Sequence, residues 1–466
     1  MPRKVKVAEK TQGLAPQMPG SAGELLRLPA VTPPVPFPLE TLVPAVRLQT
    51  PAVGQRATRP DGRLHGLGQT RYIDDLSFPG MLYAKIKRAG IAAARIRSID
   101  TREAEATPGV LAVLTGREIP LNSFGPSLQD QPLLAHERVF HAGDGVAAVA
   151  AITEQIAADA IEKIKVEYEA LPAVFDPLEA LREDSPRVHA TDSNIYARKV
   201  IRKGDVDAAF AAAKHIFERR YRTQMVEHVP LEPHAAIALW DANGRVTIHT
   251  TLGRITLGRA DVARTLKLPL NRVRLVATIV GGNFGGKNEI TQEPVLALLS
   301  KKTGRPVKGV FTRGEEFTCS TTRHPFIMDY KTGVSGDGRI VARKVRLVLD
   351  GGAYCSWSET TLGKACILSV GPYRIDNLHV EAYAVYTNKT MTGAMRGFGA
   401  PQVCFAYESQ MDEIATALAM DPLELRMLNA FEEGSASPTG QVLHSVVLKD
   451  SLRRAALRFG WKEPRQ

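Results

Sequence analysis

The spacing of apolar and polar positions changes repeatedly along the chain, and each change predicts an element. Met81-Leu-Tyr-Ala-Lys-Ile-Lys87 alternates with period two, as does Val166-Glu-Tyr-Glu169, which predicts strands with one face buried. Gly145-Val-Ala-Ala-Val-Ala-Ala-Ile152 is apolar almost throughout and predicts a buried strand. It feeds a helix on which Ile152, Ile156, Ala160 and Ile164 return at helical spacing. The stretch from about Tyr72 to Leu181 therefore predicts a compact unit of mixed helices and strands. Pro172, Pro177 and the charged run Leu181-Arg-Glu-Asp-Ser-Pro186 predict a linker after it.

A second unit begins near Gly204, where Asp205 can cap a helix over Val206 to Ala213 by accepting a backbone N–H. Ile237–Trp240 and Val246–Thr250 flank Asp241-Ala-Asn-Gly244, and the Asn-Gly step supplies the positive φ angles of a hairpin turn. Val273 to Val280 reads as a strand running straight into a glycine-rich loop, with a helix-prone segment from Val295 to Lys302 beyond it. Asp421-Pro422-Leu-Glu424 carries the cap, first-turn proline and carboxylate of a helix start.

Composition narrows the class. The chain has 466 residues, 44% apolar and 23% charged, which excludes a disordered, collagen-like or coiled-coil protein and leaves room for about three domains. No apolar run reaches the length of a transmembrane helix, about 18 residues. Lys and Arg number 60 against 49 Asp and Glu, a net charge of +11. That charge is dispersed, without basic runs or interleaved aromatics, so the pattern speaks against nucleic acid as a partner. Cys319, Cys355, Cys366 and Cys404 are too scattered for zinc, iron–sulfur or disulfide frameworks, and Cys366 and Cys404 are expected to be buried, inert thiols. Sparse cysteines and a charged start with no secretory signal lead us to expect a cytoplasmic protein. Residues 1–55 form a Pro-rich leader, expected to be extended because proline interrupts both helix and strand pairing.

Two glycine-rich segments could carry chemistry. In Gly281-Gly282-Asn283-Phe284-Gly285-Gly286-Lys287-Asn288, four glycines after a buried strand let backbone N–H groups converge on an anion or oxo ligand, although the same run also fits tight strand-to-helix packing. The spacing resembles a phosphate loop, but Asn288 stands where a hydroxyl would bind Mg²⁺, which argues against nucleotide hydrolysis. In Gly393-Ala-Met-Arg396-Gly397-Phe398-Gly399-Ala-Pro401-Gln402, flanking glycines can hold the Phe398 ring at a rim, where it stacks on a planar ligand, and Arg396 can fix a charged group. Standing alone, those two residues also read as a core phenylalanine and a surface cation. His228 and His234 flank Glu232 but lack a third metal ligand nearby and read as hydrogen-bonded histidines. Glu315 and Glu316 read as a solvated charged face.

Taken together, these two segments, Leu231-Glu-Pro-His-Ala235, Thr303-Gly-Arg-Pro-Val-Lys308 and Asp421-Pro-Leu-Glu-Leu-Arg426 resemble the molybdopterin-binding subunit of the xanthine dehydrogenase and aldehyde oxidase family. Phe78-Pro-Gly-Met-Leu-Tyr-Ala84, Ala94–Asp100, Pro108–Val113 and Ile164–Glu169 resemble that family's hammerhead domain. The resemblance runs from about Val53 to Gly460. It implies an α+β chain: a hammerhead-like α/β domain over 56–185, then the first molybdopterin-binding domain over 200–466.

What the resemblance implies for function is a molybdenum hydroxylase that oxidises an electron-poor carbon of an N-heteroaromatic or aldehyde with water-derived oxygen. The cofactor would be molybdopterin cytosine dinucleotide. Gly282, Phe284, Gly285 and Arg396 would contact it, and Asn288, Lys364 and Phe398 would face the substrate. No residue of this chain would be a direct metal ligand or the general base. That glutamate would lie on a second-half molybdopterin subunit, as in the split subunits of nicotinate dehydrogenase. Electrons would pass to a 2Fe–2S subunit and an FAD subunit. The alternative is a cofactor-free binding or assembly protein on the same scaffold.

Three departures from the family pattern bear on the substrate. Thr251-Leu252-Gly253 replaces a stretch with a molybdenum-facing Gln, Asn288 replaces a carboxylate, and Lys364 replaces an arginine that polarises purines. A lysine suits an acidic group better than bidentate purine recognition, so these changes disfavour purines. Gly397 stands where the copper-bearing CO dehydrogenases carry cysteine, which disfavours that chemistry too.

Overall fold

A computed structural model describes residues 58–462, so the leader over 1–55 lies outside the described residues. Residues 58–69 belong to a small N-terminal unit containing one short helix, Gly62–Gly66. Everything from Thr70 onward forms the main unit.

The main unit is built on two large sheets. The first has seven strands in the order Val273–Ala277, Val246–Thr250, Ala235–Trp240, Val307–Val310, Leu82–Arg88, Gly145–Ala151, Val110–Thr115. Every residue of Gly145–Ala151 is buried, as an apolar run predicts for a strand covered on both faces. Ala147 and Val149 pack with Ala160 of the helix Glu154–Glu162, while Ala148 and Ala150 join the core that contains Leu296 and Leu299 of the helix Glu293–Thr303. Small side chains let both helices approach closely. The strands Leu82–Arg88 and Val307–Val310 pair in parallel, so this sheet draws on segments from both sides of residue 185.

The second sheet runs Ile195–Lys203, Leu378–Val385, Ile340–Asp350, Phe326–Val334, His215–Arg222. Met328, Leu347, Val380 and Ala382 on one face bury against the helices Ser358–Leu368 and Ala400–Ala417. Ile327, Val348 and Val385 pack with Val174, Ala180 and Val188. The stretch expected as a linker is thus part of a core, because its apolar residues find a sheet face to cover. A three-stranded sheet, Arg138–Val139, Ala94–Asp100, Lys165–Ala170, completes the N-terminal part.

Local signals agree with the structure where they rest on a few neighbouring residues. Asp205 Oδ1 accepts from Ala208 N at 3.0 Å, and Asp421 Oδ1 accepts from Leu423 N at 2.7 Å and Glu424 N at 3.1 Å. The hairpin forms, but of the Asn-Gly step only Gly244, at φ +73°, takes positive φ; Asn243 does not, because the connection is longer than a two-residue turn. The strand expected to reach Val280 ends at Ala277, because its single partner strand ends at Thr250. No described helix is long and apolar enough to cross a membrane.

Candidate functional site

The two glycine turns meet. Arg396 N donates to Phe284 O at 2.8 Å, joining the middle of the 281–287 turn to the start of Arg396-Gly397-Phe398-Gly399. At Gly285 (φ +105°) an added Cβ would lie 2.6 Å from Ala394 O, so only glycine lets the two backbones approach this closely. Phe284 and Phe398 themselves adopt positive φ, +51° and +53°, a strained state seen mainly where surrounding structure imposes it.

Buried charge frames the first turn from behind. Glu232 Oε2 accepts from Gly281 N at 2.7 Å and from Lys287 Nζ at 3.2 Å, and Lys287 Nζ also donates to Glu232 O at 2.7 Å. One carboxylate therefore closes both ends of the turn. Lys287 is fully buried, and burial lowers its pKa against the pull of Glu232. With its ammonium turned to Glu232, it cannot serve as a phosphate-loop lysine. Asn283 Oδ1 accepts from Gly285 N at 2.8 Å, and Asn283 O accepts from Gly286 N at 2.8 Å, which tightens the turn internally.

His234 and His228 support the turns through hydrogen bonds; among the described residues, no group of three His, Cys, Asp or Glu is gathered. His234 Nδ1 lies 2.9 and 3.0 Å from the Glu316 carboxylate oxygens, and its Nε2 lies 3.3 Å from Gly286 O. Glu316 is fully buried, contrary to the solvated face expected of it. Burial pushes its carboxyl up, but His234 outweighs that and holds it below the ordinary value. Glu315 instead completes a capping box with Thr312. His228 Nε2 donates to Ala394 O at 2.8 Å, and burial favours its neutral form.

The second turn is held mainly by neutral contacts. Thr392–Gly393 pairs in parallel with Thr322–Arg323, and an Arg323 Nη donates to Arg396 O at 3.0 Å. At Gly399 (φ +87°) a Cβ would sit 2.8 Å from Thr361 O and 3.0 Å from Ala365 Cβ, so the helix Ser358–Leu368 presses directly on the turn.

Of the residues singled out in the sequence, Gly282, Phe284, Gly285, Arg396 and Phe398 lie on the two joined turns. Phe284 and Arg396 are exposed and Phe398 is half-buried. Asn288, half-buried, follows the first turn. Lys364 is exposed on the helix that flanks Gly399. Gly253 lies against the first turn: its N–H donates to Lys287 O at 2.7 Å, and a Cβ there would run into Asn283 Nδ2. Cys366 is buried, its thiol pushed up to about 12 by burial, whereas Cys404 is exposed, against expectation.

Sequence reasoning missed Glu289. It is buried, accepts from Ser356 Oγ through Oε1, and has no partner for Oε2 among the described residues. Burial raises its carboxyl to about 7. Ser356 also abuts the second turn, since a Cβ on Gly393 would lie 2.8 Å from its Oγ.

Among the described residues, the N–H groups of Gly282, Asn283, Phe284, Gly397 and Gly399 meet no protein acceptor, and the helix Ala400–Ala417 starts directly behind Gly399. Such an array of donors fits an oxo- or phosphate-bearing group. Leu231, 91% exposed, and Phe284, 50% exposed, border it.

Comparison with known proteins shows the family. A family model described as the molybdopterin cofactor-binding domain matches residues 188–430, and the aldehyde oxidase and xanthine dehydrogenase a/b hammerhead domain matches residues 67–172. The nicotinate dehydrogenase large molybdopterin subunit of Eubacterium barkeri is 40% identical over 405 residues, 86% of this chain and 95% of that protein. The xanthine dehydrogenase molybdenum-binding subunit of Escherichia coli is 35% identical over 418 residues, 85% of this chain and 54% of that protein. The solved aldehyde oxidoreductase from Desulfovibrio gigas superimposes with a TM-score of 0.84 at 32% identity, over 88% of this chain and 48% of that one. The chain therefore spans nearly all of the first relative and about half of the other two.

Proposed function

The chain belongs to the molybdopterin-binding subunits of the xanthine dehydrogenase and aldehyde oxidase family of molybdenum oxidoreductases, and from that premise we propose that it forms one wall of a hydroxylase site for an N-heteroaromatic substrate. The observation that carries this reading is the 2.8 Å bond from Arg396 N to Phe284 O, which brings together two glycine turns that carry N–H groups without a protein acceptor.

The residues present fit the implied cofactor, for which we propose the molybdopterin cytosine dinucleotide form. Gly282 and Phe284 would hold it through their free backbone N–H groups, Gly285, whose N–H is taken by Asn283 Oδ1, through close approach of its backbone, and Arg396 would flank it. When bound, a molybdenum–pterin group supplies two-electron oxidation of carbon with oxygen from water. The chain's own part is positional. Donors fixed by Glu232, Lys287 and Asn283 need no reorganisation as charge develops, which is where such sites gain most of their effect. Phe398 offers a ring face to an aromatic substrate, Asn288 borders that space, and Lys364 adds positive charge nearby.

The general base, the rest of the pterin contacts, the 2Fe–2S cluster and the FAD would come from partner subunits in the cytoplasm. Exposed Leu231 and Phe284 beside unsatisfied N–H groups support a second-half subunit closing over this face. Affinity purification from the native host tests the reading. About one molybdenum per chain and a copurifying second-half subunit are expected. A stable molybdenum-free monomer would replace it with the binding or assembly protein.

A further inference from the structure

Among the described residues, Arg254, beside the turns, has no carboxylate partner. Arg254 follows Gly253, whose N–H is bonded to Lys287 O, so the segment that carries it is tied to the first turn. Its guanidinium lies over the indole of Trp357, 4.4 Å from the ring centroid. Trp357 meets Phe398 edge to face, with centroids 6.3 Å apart and planes at 68°. Residues from three separate segments thus form one row of cation, indole and phenyl. Among the described residues, no hydrogen bond or ion pair engages the Arg254 guanidinium, which is half-buried. Other cations near the turns are differently placed: Lys287 serves Glu232, Arg323 serves Arg396 O, Arg313 serves Pro230 O and Leu231 O, and Arg396 and Lys364 are exposed.

A guanidinium held on an aromatic face is oriented in advance, weakly hydrated, and keeps its planar N–H edge free for two parallel bonds to a carboxylate. We propose that Arg254 is a specificity-determining residue that receives the carboxylate of an aromatic acid stacked at Phe398. This rests on the reading of Phe398 as the substrate-stacking residue. Trp357 is then a positioning residue. Its Nε1 is withdrawn from solvent and has no acceptor among the described residues, so ring contacts rather than a hydrogen bond set the indole's orientation.

The purified complex tests this with benzoate and benzamide, matched probes that differ in charge, their affinities measured by calorimetry. Arg254→Met is expected to weaken benzoate about 10- to 100-fold and benzamide less than about 3-fold. Arg254→Lys should restore part of the loss, since an ammonium keeps the charge without the fork. In turnover, KM for pyridine-3-carboxylate should rise while kcat and the KM for pyridine-3-carboxamide stay within about 3-fold. Equal weakening of both probes, unchanged benzoate affinity, or a wild-type complex that does not prefer benzoate would overturn the assignment. If the molybdenum-loaded complex turns over neither pyridine, the heteroaromatic reading fails, while the benzoate comparison still decides the role of Arg254.

Discussion

The first glycine turn is held by buried charge, whereas the second is held by backbone pairing and helix packing. Behind 281–287 stand the Lys287–Glu232 pair and the His234–Glu316 pair, each withdrawn from water. Behind 393–399 stand a two-residue parallel ladder, the neutral His228 donating to Ala394 O, and the helix against Gly399. The difference teaches where each turn is fragile. A buried ion pair adds little net stability while intact, because desolvation offsets attraction, but it is costly to break. A packed backbone is sensitive to added volume instead.

Breaking the charge frame should have the largest effect. Glu232→Ala leaves the Lys287 ammonium buried without its carboxylate and removes the acceptor for Gly281 N, a loss of about 3–5 kcal/mol. Chemical denaturation should register it, together with loss of bound molybdenum from the complex. A variant with wild-type stability would remove the clamp from the account.

Glu289 follows the first turn and bonds Ser356, which abuts Gly393 of the second, and it sharpens the comparison through pH. Its carboxyl rises from 4.5 to about 7 in the folded protein. The stability belonging to its protonated form is complete below the unfolded value and disappears as pH rises through the folded one, a decline of about 3 kcal/mol between roughly pH 4.5 and 7. Glu289→Gln keeps the shape and abolishes the ionisation. Its Tm should therefore fall less than that of the wild type between pH 5 and pH 8, and parallel curves would refute the assignment.

Adding volume to the neutral turn should cost less. Gly399→Ala strains a positive φ and pushes on Thr361 O, an expected loss of about 1–3 kcal/mol read as a drop in Tm, with the first turn undisturbed. Smallest is Phe398→Ala, which removes a half-buried ring. KM for an aromatic substrate should rise by the equivalent of about 1 kcal/mol with molybdenum content unchanged. Metal loss in that variant would mean the ring supports the cofactor rather than the substrate.

Much of this site could be read in the sequence, and the missing parts have something in common. Both turns stood out because closely spaced glycines are local features, and Asp205, Asp421 and Asn243-Gly244 marked their elements for the same reason. Glu289, Arg254 and Trp357 did not stand out, and Glu232 and His228 were noticed without the partners they meet. Glu232 is 55 positions from the lysine it holds, and His228 is 166 from the carbonyl it meets. A lone charged residue in an apolar stretch, such as Glu232 between Leu231 and Pro233, was the one available hint.

The chain's amino-acid order by itself determined the elements, the glycine positions able to adopt left-handed backbone, and a family pattern carried by motifs in the right succession, because each of these is encoded within a few neighbouring residues. Only the tertiary structure decided that Phe284 and Arg396 touch, that Lys287 and Glu316 are turned inward, and that Arg254 faces an indole. Those outcomes depend on which segments the two sheets bring side by side, and the energy of a buried charge is set by whatever group arrives opposite it.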